Sequence, residues 1–149
     1  MKHPFFNQYK FKYLEWNDAQ AIHDVTLLWK SQVEFIAVEQ AFLGELLTEH
    51  TLQLLSETGF EYARHLAVEL DAFEKEVPKL LKRITEHLNE VKVLMDGKDE
   101  FQKERTFQDA HILLELKMGD YQDKYKLLKE EIFKTMKSVF AKSKSKLIA

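Results

Sequence analysis

Histidine and glutamate side chains are the residues of this sequence whose types and spacing could support chemistry. His87 and His111 both fall on apolar rows of helical periodicity. Folding the chain at a turn near residue 97 places them within about one helical turn of each other. Glu39 lies on the inward side of its own helix, and Glu115 follows His111 by one turn. The four side chains form a candidate divalent-metal site, with two imidazoles and one or two carboxylates as ligands.

The same positions also have a purely structural interpretation. Gln32 falls on the inward side of the first helix, at the level predicted for His87 and His111. Two imidazoles and an amide can satisfy one another by hydrogen bonds, and polar residues at core positions commonly fix the register of packed helices. The Glu-x-x-His pairs of di-iron bundles are absent, because Ile84 and Gln108 stand three residues before the two histidines. We therefore predict a buried polar layer, with metal binding as the alternative.

Catalytic motifs are absent from the sequence. It contains no phosphate-binding glycine loop, no HExxH, no GxSxG and no CxxC. It also contains no cysteine, which excludes disulfides, thiolate metal sites and a cysteine nucleophile. We predict that the protein is not an enzyme and needs no cofactor, a divalent metal at the histidine layer being the one alternative.

Length and composition indicate a single globular domain. The chain has 149 residues, of which 45% are hydrophobic and 32% charged. Four glycines and two prolines are too few for a fold of many strands and turns. The net charge of −3 offers no general attraction to nucleic acid. No apolar run is long enough for a transmembrane segment or a signal peptide, so we expect a cytoplasmic protein.

Apolar residues recur every seven positions through three long segments, at 18–57, 60–95 and about 99–142. The rows predicted to be buried include Ile22, Trp29, Ile36 and Leu43, with Val33, Leu47 and Leu54 in the same phase, and Ala63, Leu70, Val77, Ile84 and Val91 in the second segment. Short turns at Gly59 and Gly97 separate the segments. This pattern predicts an all-α fold, an elongated antiparallel up-down-up bundle of three long helices with coiled-coil-like packing.

Pro78 lies inside the second segment, yet the heptad phase passes through it unchanged. We predict one bent helix, with a break near Glu76 as the alternative. The predicted organisation is an N-terminal arm at 1–17, one helical domain at 18–142 and a basic tail at 143–149, with the tail frayed.

The first helix is predicted to pack on two sides. One side carries a large apolar row, and the other carries small uncharged residues, namely Ala37, Ala41, Gly44, Thr48 and Thr51. Large exposed apolar surfaces are rare in monomers, and small side chains allow two helices to approach closely. We predict a homodimer in which two copies of the first helix meet across this ridge. The N-terminal arm is the alternative cover.

Both ends of the chain are basic. The arm at 1–17 interleaves six aromatic residues with lysines, and after Glu131 every charged side chain is a lysine. Cations near a helix C-terminus complement its dipole, which explains much of the second cluster. We predict a non-enzymatic interaction or scaffold protein that engages a protein partner at the arm or at the tail. Nucleic-acid or anionic-membrane binding through these ends is the alternative, and the acidic first helix disfavours it.

Overall fold

All secondary structure that the computed structural model describes is α-helical, as predicted. The backbone is described for residues 16–96 and 101–148, and the side chains for residues 19–96 and 105–145. The helices are α1 (Trp16–Glu49), α2 (Thr51–Thr58), α3 (Phe60–Asp96) and α4 (Phe101–Ile148). None of these described helices has the length and apolar character needed to cross a bilayer. The predicted turn at Gly97 and the predicted arm, apart from the start of α1, lie outside the described residues.

The predicted first helix is interrupted at His50, so the described chain has four helices where three were predicted. The backbone of His50 leaves the helical region at φ −111° and ψ 26°. Two backbone hydrogen bonds still bridge the interruption, from His50 N to Leu46 O at 3.3 Å and from Leu54 N to His50 O at 2.9 Å. The Thr51 hydroxyl lies within hydrogen-bond distance of two carbonyl oxygens of the preceding turn, those of Thr48 at 2.8 Å and Leu47 at 3.0 Å, and shares its one proton between them. Such bonds compete with the helical ladder and bend helices.

Gly59 ends α2, as predicted. Its φ of 82° and ψ of 165° define a conformation that is accessible essentially to glycine alone. Its amide donates to Leu55 O at 2.9 Å, which closes the last turn of the helix. The chain leaves this residue directly into α3, so the connection between the two helices is a single residue.

Helix α3 continues through Pro78 from Phe60 to Asp96. The alternative of a break near Glu76 is therefore wrong. Pro78 is exposed, so its ring displaces no core side chain.

Helix α4 extends to Ile148, several residues beyond the predicted end near Lys142. The ammonium of Lys142 pairs with the Glu57 carboxylate at 2.6 Å, which fixes this turn against α2. Lysines in the last turns also complement the helix dipole. Both effects favour helix where a frayed tail was predicted.

The chain divides into two compact units. Unit 1 contains residues 1–34 and 78–120, and unit 2 contains residues 35–77 and 121–149. The core of unit 1 is formed by segments of α1, α3 and α4. Its buried residues are Ala19, Ile22, Thr26, Trp29, Val33, Leu80, Ile84, His87, Leu88, Val91, Phe107, His111, Leu114 and Met118.

Unit 2 has a core of its own. Its buried residues are Ile36, Gln40, Leu43, Leu47, Leu54, Ala63, Leu66, Leu70, Val77, Tyr121, Tyr125, Leu128, Ile132, Met136 and Val139. Contacts between α3 and α4 proceed from Tyr62 with Thr135 to Phe73 with Tyr121, which is the order that antiparallel neighbours give.

Candidate functional site

His87 and His111 lie together in the core of unit 1, as the hairpin geometry predicts. His87 is 3% exposed and His111 is 0% exposed. His87 Nε2 and His111 Nδ1 are 2.7 Å apart and share a hydrogen bond. The ring planes differ by 13° and the centroids are 4.9 Å apart. This separation fits two rings bonded edge to edge in nearly one plane, rather than stacked face to face.

Two aromatic rings lie nearly parallel to the histidine pair. Phe107 is 4.5 Å from His87 between centroids, with an angle of 8° between planes. Trp29 is 5.2 Å from His111, with an angle of 20°. Helix α1 supplies Trp29, α3 supplies His87, and α4 supplies His111 and Phe107. The pair therefore lies where the three helical segments described for unit 1 meet.

Both imidazoles are neutral in this environment. Burial lowers the pKa of His87 to about 4, and the nearby Arg83 charge acts in the same direction. Burial lowers the pKa of His111 to about 3, with a further contribution from His87. A neutral pair needs one ring to donate and the other to accept. The geometry thus suits a fixed hydrogen bond between two uncharged rings.

The predicted metal site of His87, His111, Glu39 and Glu115 is not assembled in the described structure. No group of three or more histidine, aspartate or glutamate residues in the described ranges could hold a metal ion. The facing nitrogens of the two histidines bind each other. Glu39 belongs to unit 2, where its carboxylate accepts hydrogen bonds from Lys129 at 3.1 and 3.2 Å.

Glu115 and Gln32 are both half-buried in unit 1. One carboxylate oxygen of Glu115, Oε2, is fully covered and has no hydrogen-bond partner among the described residues. Burial accordingly raises the pKa of this carboxyl group. The third member of the predicted layer, Gln32, is thus nearer the surface than the histidines.

Unit 2 contains a buried chain of hydrogen bonds that the sequence pattern did not predict. Gln40 is 1% exposed and donates from Nε2 to the Tyr121 hydroxyl at 2.9 Å. The hydroxyl in turn donates to the backbone carbonyl of Phe73 at 2.7 Å. The sequence does contain a sign of it, because Val33, Gln40 and Leu47 are spaced seven residues apart on one row of α1 and Gln40 is the polar member of that row.

Replacing Tyr121 by Phe is expected to lower the free energy of unfolding by about 1–3 kcal/mol, because it leaves the buried Gln40 amide without its acceptor. Replacing both partners, as Gln40→Leu with Tyr121→Phe, should cost less than the sum of the single changes. Urea denaturation of the four proteins of this cycle measures the coupling. Strictly additive losses would show that the two side chains do not depend on each other.

Glu39, Tyr125 and Lys129 form a second polar cluster of unit 2. Besides the two bonds from Lys129, the Glu39 carboxylate accepts one from the Tyr125 hydroxyl at 3.3 Å. The Lys129 ammonium lies 5.4 Å from the centre of the Tyr125 ring. Burial and the adjacent Glu39 raise the pKa of Tyr125 above its usual range. The groups satisfy one another, which is the arrangement of a structural cluster.

The predicted ridge of small residues does not form the outward face of α1. Ala37 and Gly44 are half-buried, while Ala41, Thr48 and Thr51 are exposed. A Cβ placed on Gly44 would lie 3.7 Å from Glu74 Oε1 and 4.0 Å from Leu70 Cδ2, so this part of the ridge faces α3 of the same chain. The correction follows from helix geometry, because these positions flank the buried row instead of opposing it.

The outward face of α1 in unit 2 instead carries large apolar side chains. Phe35, Val38 and Phe42 are 62%, 66% and 53% exposed. Their spacing of three and four residues places them on one stripe of the helix. We call this stripe the aromatic face of α1.

Two cavities are lined by described residues of units 1 and 2. An apolar one of about 500 Å³ lies between α3 and α4 in unit 1, where Phe107, Leu94 and Glu90 are among the residues that line it. A more polar one of about 390 Å³ lies in unit 2, where Tyr62 and Thr135 line it together with Lys134. In the second cavity the Tyr62 hydroxyl donates to the Glu131 carboxylate at 2.7 Å and lies 3.3 Å from the Thr135 hydroxyl, so these polar groups bind one another.

Comparison of the chain with models of protein families, with curated proteins and with solved structures finds no match. Function is therefore inferred from the geometry of the described residues alone.

Proposed function

We propose that the protein is a non-enzymatic helical interaction or scaffold protein that self-associates through the aromatic face of α1. The observation that carries this proposal is the exposure of Phe35, Val38 and Phe42, each more than half accessible on one stripe of a long helix. Large apolar side chains that adjoin one another on a surface mark interaction sites more often than scattered ones do.

The spacing of these three residues supports a helical partner. Anchors at positions i, i+3 and i+7 are those by which one amphipathic helix lies in the groove of another. Because the stripe belongs to a continuous helix, its side chains are held in register before binding, which lowers the entropic cost of association.

The polar groups of the core favour a structural role over chemistry. His87 and His111 are almost fully buried and bind each other, so a substrate has no access to them in this arrangement. Gln40 and Tyr121 are likewise buried and mutually bonded. Such fixed polar pairs set helix register. We infer that α1, α3 and α4 pack within each unit in the predicted up-down-up order.

Two serine substitutions on the aromatic face test the proposal. Phe35→Ser with Phe42→Ser should weaken self-association by at least about tenfold, because it removes two apolar anchors. Gel filtration with light scattering, over a wide range of protein concentration, measures the mass against 17.7 kDa for one chain.

Leu127→Ser is the matched control, since Leu127 is 67% exposed on α4, away from the aromatic face. It should leave the mass unchanged. Equal loss in the control, or no loss in the double variant, would show that the aromatic face is not the interface.

A further inference from the structure

We infer that the aromatic face of α1 binds α4 of a second copy of this chain, by pairing an acidic–aromatic stripe with a basic–aromatic one. The inference rests on the proposed function and specifies its partner surface. The observations that carry it are the arrangement of charge on the two helices of unit 2 and the exposure of the aromatic rings between those charges.

The stripe on α1 is acidic. Glu45 and Glu49 continue the three-and-four spacing of Phe35, Val38 and Phe42 along the same side of the helix. Both carboxylates are exposed. Residues 35–58 contain four acids and no lysine or arginine. Any surface that covers the aromatic face therefore meets negative charge at one end of it.

The stripe on α4 is basic. One side of this helix carries, at spacings of three and four residues, the side chains of Lys126, Glu130, Phe133, Lys137, Phe140 and Lys144, so three of its four charges are positive. Phe133 and Phe140 are 46% and 41% exposed. Residues 121–149 contain eight lysines and three acids. The stripe thus offers two apolar rings among three cations and one acid, Glu130, and its net positive charge complements the acidic stripe on α1.

The charges of both stripes lack partners among the described residues. Glu45 and Glu49 on α1 form no ion pair or side-chain hydrogen bond there, and neither do Lys137 and Lys144 on α4. By contrast, Lys129, Lys142 and Lys75 are all engaged with carboxylates of their own chain. The stripes are therefore available for pairing with another molecule.

Pairing α1 with a second α1 is opposed by charge, because two helical faces with acids and no bases repel each other. Pairing α1 with α4 is attractive. The two helices are also neighbours within unit 2, as the contact of Glu39 with Lys129 shows, and the His50 ring just after α1 packs edge-on against Phe140 of α4. A two-fold axis can therefore set each stripe of one copy on the complementary stripe of the other.

An anionic surface, such as a lipid bilayer, is the competing occupant of the α4 stripe. It would leave Phe35 and Phe42 of the neighbouring helix in water, and it would repel Glu45 and Glu49. A second copy covers both stripes at once, and we therefore favour it.

Charge reversal provides the test. The α1 variant is Glu45→Lys with Glu49→Lys, and the α4 variant is Lys137→Glu with Lys144→Glu. Each variant alone should lose self-association by at least about tenfold, because like charges then face each other in both halves of a two-fold dimer. An equimolar mixture of the two variants should regain a dimer, because both of its interfaces pair opposite charges.

Glu69→Lys and Lys134→Glu are matched controls, because both residues are exposed and lie off the stripes. Neither should change the mass, and circular dichroism should show the same helicity in every variant. Light scattering and sedimentation measure the masses, and binding to vesicles containing phosphatidylserine is measured in parallel.

Three results would overturn the inference. One is an α4 variant that dimerises as well as the unaltered chain. Another is a mixture that stays monomeric although the unaltered chain dimerises and Phe35→Ser with Phe42→Ser abolishes that dimer, in which case the proposed function stands and its partner surface is different. The third is a monomer that binds the anionic vesicles through the α4 lysines, which would contradict self-association as well.

Discussion

Acidification from about pH 8 to about pH 5 is expected to lower the free energy of unfolding by about 4 kcal/mol through His87 and His111. Both pKa values are lowered by folding, from 6.5 to about 4 and about 3. The unfolded chain therefore binds more protons below pH 6.5, and stability is lost as the pH falls through 6.5 toward the folded values. Each residue contributes about 2 kcal/mol at pH 5. This pH lies about 1.5 units below the unfolded pKa of 6.5, and each unit corresponds to about 1.4 kcal/mol of protonation free energy in the unfolded chain.

The charged and titratable groups around the pair shape this effect. Arg83 opposes protonation of His87, whereas Glu90, with Oε2 at 3.9 Å from His87 Nδ1, favours it. Glu115, on the same helix as His111, has a raised pKa because of burial. Its carboxyl group keeps its proton to a higher pH than usual. At low pH it therefore supplies little of the negative charge that would favour protonation of His111.

Urea denaturation at a series of pH values measures the loss. His87→Leu with His111→Leu should flatten the profile between pH 8 and pH 5, because the double variant replaces both bonded rings and leaves neither one unpartnered. His65→Leu is the matched control, since His65 is exposed on α3. An unchanged slope in the double variant would place the titrating groups elsewhere.

Replacing Pro78 by Ala is expected to raise the free energy of unfolding by about 2 kcal/mol. A proline inside a helix costs about 3 kcal/mol relative to alanine, because it lacks an N–H and its ring crowds the preceding turn. Part of that gain is lost, since alanine leaves the unfolded chain more flexible. Pro78 is exposed within a continuous helix, so the new amide can bond to Glu74 O without disturbing the core.

Thermal and urea unfolding measure this change. Thr85→Ala is the control, as Thr85 is an exposed position of the same helix, and it should raise stability by only about 0.5 kcal/mol. A loss of stability in Pro78→Ala would mean that the proline fixes a local helix geometry on which the packing of α3 depends.

Helical periodicity was sufficient to locate most of the core. The row through Ile22, Trp29 and Leu43 is buried as predicted, and so is the row through Ile84 and Val91. A heptad pattern succeeds here because burial is set by angle around the helix, which sequence spacing determines directly. The meeting of His87 with His111 followed from the same reasoning, applied to one short turn.

The remaining features depend on interactions that spacing does not encode. The interruption at His50 lies beside the Thr51 hydroxyl, which competes for the carbonyl groups of the preceding turn, and the heptad pattern carries no signal of it. The Gly44 side of the ridge is covered by Leu70 and Glu74, and only the positions of neighbouring helices could reveal that. The hydrogen bond of Gln40 requires Tyr121 to lie at the same level along the helix axis, and periodicity does not determine how far α4 is shifted along α1.

Sedimentation equilibrium of the unaltered chain, over a wide range of concentration, examines the self-association on which both functional inferences depend. Burial of the aromatic face of α1 against a second copy requires the mass to rise with concentration from 17.7 kDa toward twice that value. Rising salt should shift the curve toward the single chain, because the pairing is partly electrostatic. A constant mass of 17.7 kDa at every concentration and at low salt would contradict self-association through the aromatic face of α1.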